Sequence, residues 1–435
     1  MKKNIFQRNE KAEKPPGIRQ GLAALPGHLN AQTIGAGLIA TIFGCTGPPL
    51  IIMSSAMNAG YTTTQTISWL ASVCFFGGLI SFIMALRYKQ PIVGAWSIPV
   101  AVMLGNTLAF FSIEQAVGAY LMGGVVVLLL GFSGLVGRIM RLLPMPIVMG
   151  MIAGAMIKFG TDMITSIEAL PLICGAAMAA YFLTARFFRR FPPALGALLV
   201  GITGAMLYGG MTFAGGDYSL VLPTVFVPSF SLDAFLSISL PLALLVIGAE
   251  NAQATGVLLA EGYKPPVNDM TVASGIGGII ASFFGGHNAN VAGPMTAICA
   301  SGEAGEDKEG RYAAAVVNGV LFAGFGVFAS VAVAVIQSVP APLVGVVAGL
   351  AMIGVLIQAF EQAFVTGRFK VGAFFALVIA MSGITVFQIS APFWALIGGV
   401  AVSILTEPKD FTAAVNTRQM PVPEDPAETK AVQKV

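Results

Sequence analysis

The run Leu240-Pro241-Leu242-Ala243-Leu244-Leu245-Val246-Ile247-Gly248-Ala249-Glu250-Asn251-Ala252-Gln253-Ala254-Thr255-Gly256-Val257 is apolar at most positions and holds one acid near its middle. With its flanks it covers 234–260, more than the ~20 residues an α-helix needs to cross ~30 Å of hydrocarbon. An ionised carboxylate at such a depth costs at least ~3 kcal/mol. The same desolvation favours the protonated form, so the group can take up and release a proton near neutral pH wherever water reaches it. Every other acid falls in a loop, a tail or near a span end. Glu250 is therefore the candidate proton-coupling residue; the alternative is a carboxyl kept protonated and hydrogen-bonded for packing. Asn251, Gln253 and Thr255 add polar capacity that a lipid-facing helix would not carry.

Working outward, the rest of the chain fits a bilayer. Hydrophobic residues make up 56% of the 435 and charged ones 10%, against about 45–50% and 25% in soluble domains. Punctuation by polar, Pro and Gly residues predicts about fourteen apolar segments and an all-α polytopic membrane protein. The predicted layout is a polar tail over 1–30, seven spans over 31–213, a connecting loop over 214–233, seven more over 234–406 and a second tail over 407–435. Met1 to Asn30 lacks the apolar core and cleavage site of a signal peptide. Cys45, Cys74, Cys174 and Cys299 sit apart in apolar runs, as packing residues do. A net charge of +3 is too small and dispersed for nucleic acid. No Walker loop, metal-ligand cluster or nucleophile–base pair stands out, so neither cofactor, metal nor enzymatic activity is expected.

Cytoplasmic loops retain positive charge during insertion. With both termini cytoplasmic, all 23 basic residues except Lys158 fall on one side, including Arg87, Lys89, Arg138, Arg141, Arg186, Arg189, Arg190, Lys264, Arg368 and Lys370. Lys158 lies one turn from Asp162, which can pair with it. The opposite loops hold only acids, Glu114, Asp162, Glu168, Asp217 and Asp233. The expected location is the inner (plasma) membrane, and a homo-oligomer is compatible with this reading.

At offsets near 195 to 202 the punctuation recurs: Gly60-Tyr61 as Gly262-Tyr263, and Pro144-Met145-Pro146 as Pro340-Ala341-Pro342. Seven spans per half is odd, so the copies would be inverted relative to each other; chance recurrence of Gly/Ala/Pro text is the alternative. The third segment of each half, 91–106 and 287–301, is short and broken by Pro99 or Pro294. Part of each is expected to run extended, as short strands. Such breaks leave backbone groups unpaired at membrane depth, which hydrocarbon tolerates only where protein or solute satisfies them. A purely structural kink remains the other reading. Helix starts near the two prolines would favour an anion. His287 reads either as a proton relay or as a loop residue, and Trp96 either as an aromatic face for a ring or as a core tryptophan.

The Gly248-Ala249-Glu250-Asn251-Ala252-Gln253 run and the Gly285-Gly286-His287-Asn288-Ala289-Asn290-Val291-Ala292-Gly293-Pro294 run resemble those of the benzoate:proton symporter family, BenE. The resemblance extends over essentially residues 20 to 406. More distantly the chain is similar to nucleobase and ascorbate transporters. This implies a seven-plus-seven inverted repeat in which spans 1 to 4 and 8 to 11 form a core domain and the others a gate. Short strands in spans 3 and 10 would face each other across the substrate. Nucleobase carriers typically add a second acid just ahead of Asn-x-Gly in the tenth span, whereas Asn288-Ala289-Asn290-Val291-Ala292-Gly293 has none. A second carboxylate would repel an anion, so its absence favours a carboxylate substrate. The expected function is proton-coupled uptake of benzoate or a similar aromatic carboxylate. The expected contacts are Trp96, Ser97, Ile98, Asn251, Gln253, His287, Asn288, Asn290, Val291, Ala292 and Gly293. The alternatives are a nucleobase:proton symporter of the same architecture and an anion channel.

Overall fold

The computed structural model describes residues 15–136, 144–188, 193–208, 223–386 and 389–411. Met1 to Lys14, Arg138, Arg141, Arg189, Arg190, Asp217 and the tail beyond residue 411, all used above to orient the chain, lie outside the described residues. The first half holds α1 (Ile18–His28), α2 (Ala31–Thr46), α3 (Pro48–Asn58), α4 (Thr63–Tyr88), β1 (Gly94–Ala95), α5 (Ile98–Thr107) and α6 (Ile113–Ser133). There follow α7 (Met145–Ala169), α8 (Pro171–Phe187) and α9 (Pro193–Leu207). The second half begins with α10 (Leu232–Leu259), then α11 (Val267–Ser282), β2 (Asn290–Val291), α12 (Gly293–Ala300), α13 (Tyr312–Val327) and α14 (Ala329–Gln337). It closes with α15 (Ala341–Phe364), α16 (Lys370–Ser382), β3 (Thr385–Val386), β4 (Ile389–Ser390) and α17 (Ala391–Thr406).

Local sequence explains many of these boundaries. Asn30, Thr62 and Ser112 each form a reciprocal capping box with the residue three positions on, fixing the starts of α2, α4 and α6. Proline in the first turn opens α3, α5, α7, α8, α12 and α15, where its missing N–H leaves no bond unmade. The predicted first span breaks at Gly47, because Pro48-Pro49 cannot donate backward into α2. Taken together, α2 and α3 form one of five spans, among the described residues, that are long and apolar enough to cross a bilayer, with α4, α6, α7 and α10. α13 and α14 make a sixth when joined across a 65° bend.

The helix contacts fall into two groups. α4 packs on α13, α6 on α11, and α2 on α13. Separately, α7 packs on α15 and α16, α8 on α9, and α16 on α17. Within the first group Gly78 and Gly319 let α4 and α13 touch backbone to backbone, each glycine lying where a Cβ would strike the other helix. Such small-residue contacts are the usual way for helices to associate in lipid, where no hydrophobic effect draws them together. The groups meet where α5 touches α7 and α3 touches α15.

Two features depart from the sequence expectation. The polar tail over 1–30 is helical from Ile18, and α1 is fixed to the core. The Gly17 N–H donates to the Arg87 carbonyl at 3.0 Å, and the Tyr312 hydroxyl donates to the Gly21 carbonyl at 2.9 Å. The thirteenth and fourteenth segments are joined by the β3–β4 hairpin rather than by a plain loop. Lys158 and Asp162 do pair, at 2.9 Å on an exposed face of α7. Cys74, Cys174 and Cys299 are buried and Cys45 is half-buried, all as free thiols.

Arg311 closes the far end of the half-helix α12. Only 5% exposed, it donates from Nη1 to the Ala300 carbonyl at 2.6 Å and to Glu261 Oε2 at 3.0 Å, and from Nε to the Gly305 carbonyl at 2.7 Å. Arg311→Ala is expected to lower unfolding stability by about 3 kcal/mol, since buried partners lose their donor. Arg311→Lys should restore only part, because an ammonium lacks the planar fork. Thermal unfolding of the detergent-purified protein checks this; an unchanged midpoint for the alanine variant contradicts it.

Candidate functional site

The two interrupted segments meet each other. β1 and β2 pair antiparallel, Gly94 opposite Val291 and Ala95 opposite Asn290. Each strand leads into a short helix with proline in its first turn, Pro99 in α5 and Pro294 in α12. Both helices thus begin at the ladder, and their free N–H groups and positive dipole ends gather there. β1 can lie against α4 because Gly77 and Gly94 have no side chains; a Cβ on Gly77 would stand 2.7 Å from the Ala95 backbone. The Ser97 hydroxyl caps α5, accepting from the Val100 N–H at 3.4 Å.

Glu250 arrives at this junction on α10. The helix there is not regular: Val246–Asn251 forms a π-helical stretch, and Phe235–Ser239 forms another. A π insertion turns the following side chains around the axis, and such insertions recur at functional sites. Glu250 is 5% exposed, and its Oε2 accepts from the Gly293 N–H, the first residue of α12, at 3.4 Å. Ser97 and the Ile98 N–H at the start of α5 approach the same carboxyl.

The carboxyl borders two cavities. The smaller lies against Ala95, Trp96, Ile98, Ala292 and Met295. The larger, about 240 Å³, has one wall made by Ile98, Gly248, Glu250, Gln253 and Pro294, and an opposite wall made by Met145, Met149, Ile152, Gln358 and Gln362. It is smaller than the ~300–1,000 Å³ of pockets for drug-sized ligands and matches a single-ring solute. Among the described residues, Glu250 is the one ionisable residue on its wall, and no lysine, arginine or histidine lines it.

Of the expected contact residues, Trp96, Ile98, Gln253 and Ala292 line a cavity with Glu250, Gly293 donates to Glu250, and Ser97 approaches it. His287, Asn288, Asn290 and Asn251 are not among the residues that line either cavity. They belong to the framework behind the wall, because protein groups take up their polar atoms. Trp69 Nε1–H donates to His287 Nδ1 at 2.8 Å, which leaves the ring proton on Nε2, 3.1 Å from the Ser97 carbonyl. Asn288 accepts from the Ser97 N–H and donates to Asn290 Oδ1, and Asn290 donates to the Val291 carbonyl. Asn251 donates to Thr271 and accepts from Ser274, whose hydroxyl also accepts from the Val291 N–H. This network fixes the ladder and the two helix starts relative to α4, α10 and α11.

Sequence reading missed the opposite wall. Gln358 and Gln362, one turn apart on one face of α15 with Glu361 beside them near the helix end, are its visible signal, since two amides on one face of a span are costly in lipid. Met145, Met149 and Ile152 carry no such mark, because apolar residues on a membrane helix look alike whether they face lipid or a cavity.

Known proteins resemble the chain in sequence and in fold. A family model described as BenE, benzoate membrane transport protein, matches residues 27–405. An inner membrane protein of Escherichia coli, YdcO, is 30% identical over 374 residues, 86% of this chain and 95% of that protein. A benzoate membrane transport protein of Acinetobacter baylyi is 28% identical over 375 residues, again 86% and 95%. Among solved structures, the transmembrane domain of a cyanobacterial bicarbonate transporter, BicA, superposes with a TM-score of 0.61 at 16% identity, covering 85% of this chain and 97% of that one.

Proposed function

The chain belongs to the BenE family of benzoate membrane transport proteins, a family of transporters and not of enzymes, and from that premise we propose that it carries benzoate or a similar aromatic carboxylate into the cell together with a proton. The observation that supports this most is a single-ring-sized cavity whose one ionisable wall residue, among the described residues, is the acid Glu250. An anion entering a desolvated site without a cation needs its charge matched in another way. Two helix starts offer partial positive charge, yet Glu250 already draws on both. Protonation of Glu250 frees those N–H groups for the substrate carboxylate and removes the like-charge repulsion. Loss of the proton on the far side restores Glu250 as the occupant and expels the anion.

The fourteen expected crossings are reached by counting each strand-plus-half-helix as one span, α2 with α3 as one, and α13 with α14 as one. On this reading the two copies are inverted and the β1–β2 ladder is their meeting point. The helices packed around α4, α6, α11 and α13 form the core that holds Glu250. The helices packed around α7, α15 and α16 form the gate, and alternating access comes from the core sliding against it. Met145 and Met149 sit in the first turns of α7 and Gln358 and Gln362 near the end of α15, the ends bordered by Arg138, Arg141, Arg368 and Lys370. The large cavity therefore belongs to the cytoplasmic side of the site, with both termini on that side of the inner membrane.

Uptake of labelled benzoate into proteoliposomes under an imposed pH gradient tests the proposal. Accumulation should appear only with the acidic side outside and collapse when a protonophore dissipates the gradient. Equal accumulation without a gradient, or currents that grow with voltage and never saturate with benzoate, would favour passive conduction instead.

A further inference from the structure

The gate-side wall carries a pair of amides that benzoate alone does not use. Gln358 and Gln362 face Glu250 and Gln253 across the larger cavity, and among the described residues none hydrogen-bonds to the side chains of Gln253, Gln358 or Gln362. Around the pair the gate wall is apolar, formed by Met145, Met149 and Ile152. When the core and gate close on a substrate, water leaves, and amides without partners in such a wall weaken binding. Benzoate has one polar group, and the helix starts beside Glu250 claim it. Its ring edge offers nothing to a carboxamide.

We propose that Gln358 and Gln362 are the specificity-determining half of the site and select an aromatic carboxylate that bears a hydroxyl on its ring. The inference rests on the proposed function, because it takes the carboxylate end of the substrate as held by the core. A ring hydroxyl donates to a carboxamide oxygen and accepts from a carboxamide N–H, so one substituent can bond to both glutamines. A second carboxylate in the same place is disfavoured, since no cation among the described residues lines the wall.

Proton-driven uptake by the reconstituted full chain, measured for benzoate and for meta- and para-hydroxybenzoate, tests this. The expected result is kcat/KM about tenfold higher for one of the hydroxylated acids than for benzoate. At about 1.4 kcal/mol per decade that is the net worth of roughly one hydrogen bond. In the double variant Gln358→Leu/Gln362→Leu the ratio should fall to about one, because leucine can neither donate nor accept. A wild-type ratio at or below one for both hydroxylated acids overturns the proposal whether or not the variant folds. So does a preference that persists in a folded double variant. Benzoate uptake with no preference removes the role of the glutamine pair and leaves the transport function standing. Proton-coupled uptake of none of the three acids removes both.

Discussion

Glu250→Gln is expected to abolish proton-driven accumulation of benzoate while preserving exchange of external for internal benzoate. The amide has nearly the shape of the protonated acid and offers its own N–H, but it cannot release a proton. It should therefore hold the site permanently in the substrate-accepting condition. For wild type coupled to one proton, each pH unit across the membrane, worth 1.36 kcal/mol, supports about tenfold accumulation. The variant should stay near unity at every gradient. Uptake and counterflow on the same proteoliposomes separate the two properties. Gradient-driven accumulation by the glutamine variant would remove Glu250 from the coupling scheme.

His287→Ala should produce the largest loss of stability among single changes near the site. The imidazole is fully buried and links α4 to the ladder by accepting from Trp69 and facing the Ser97 carbonyl. Its removal leaves an indole N–H and a backbone carbonyl without partners, at about 1–3 kcal/mol each, beside a new void. Thermal unfolding in detergent should fall by correspondingly many degrees, and benzoate should no longer stabilise the protein because the start of α5 is released. His287→Gln, which retains one acceptor and one donor, should recover part of the loss. A variant as stable and as responsive to benzoate as wild type would show that His287 is not a framework residue.

Much of this was legible in the sequence because membrane physics is unforgiving. Glu250 stood out since an acid inside an apolar span has few bland explanations. Pro99 and Pro294 marked the interruptions because proline lacks an N–H wherever it sits. The π-helical stretch around Glu250 was not legible: an inserted residue in a helix reflects how neighbours pack, and Val246 to Asn251 carry no local mark of it. The 65° bend between α13 and α14 was hidden for the same reason, with no proline at the break. His287, Asn288 and Asn290 show where a sequence reading stops. A cluster of polar residues before a broken span reads as a set of ligand donors, whereas their close spacing lets Asn288 donate to Asn290 and leaves His287 between Trp69 and Ser97. Partner groups far away in sequence decided which polar atoms remained for a substrate.

The infrared difference spectrum of the reconstituted protein on adding benzoate, labelled at its carboxyl carbon so that its own band is displaced, reaches the coupling claim most directly. The account predicts that benzoate binding creates a protonated-carboxyl band in wild type and that the band is missing in Glu250→Gln. A spectrum in which no such band forms, or in which it forms equally in the variant, contradicts it.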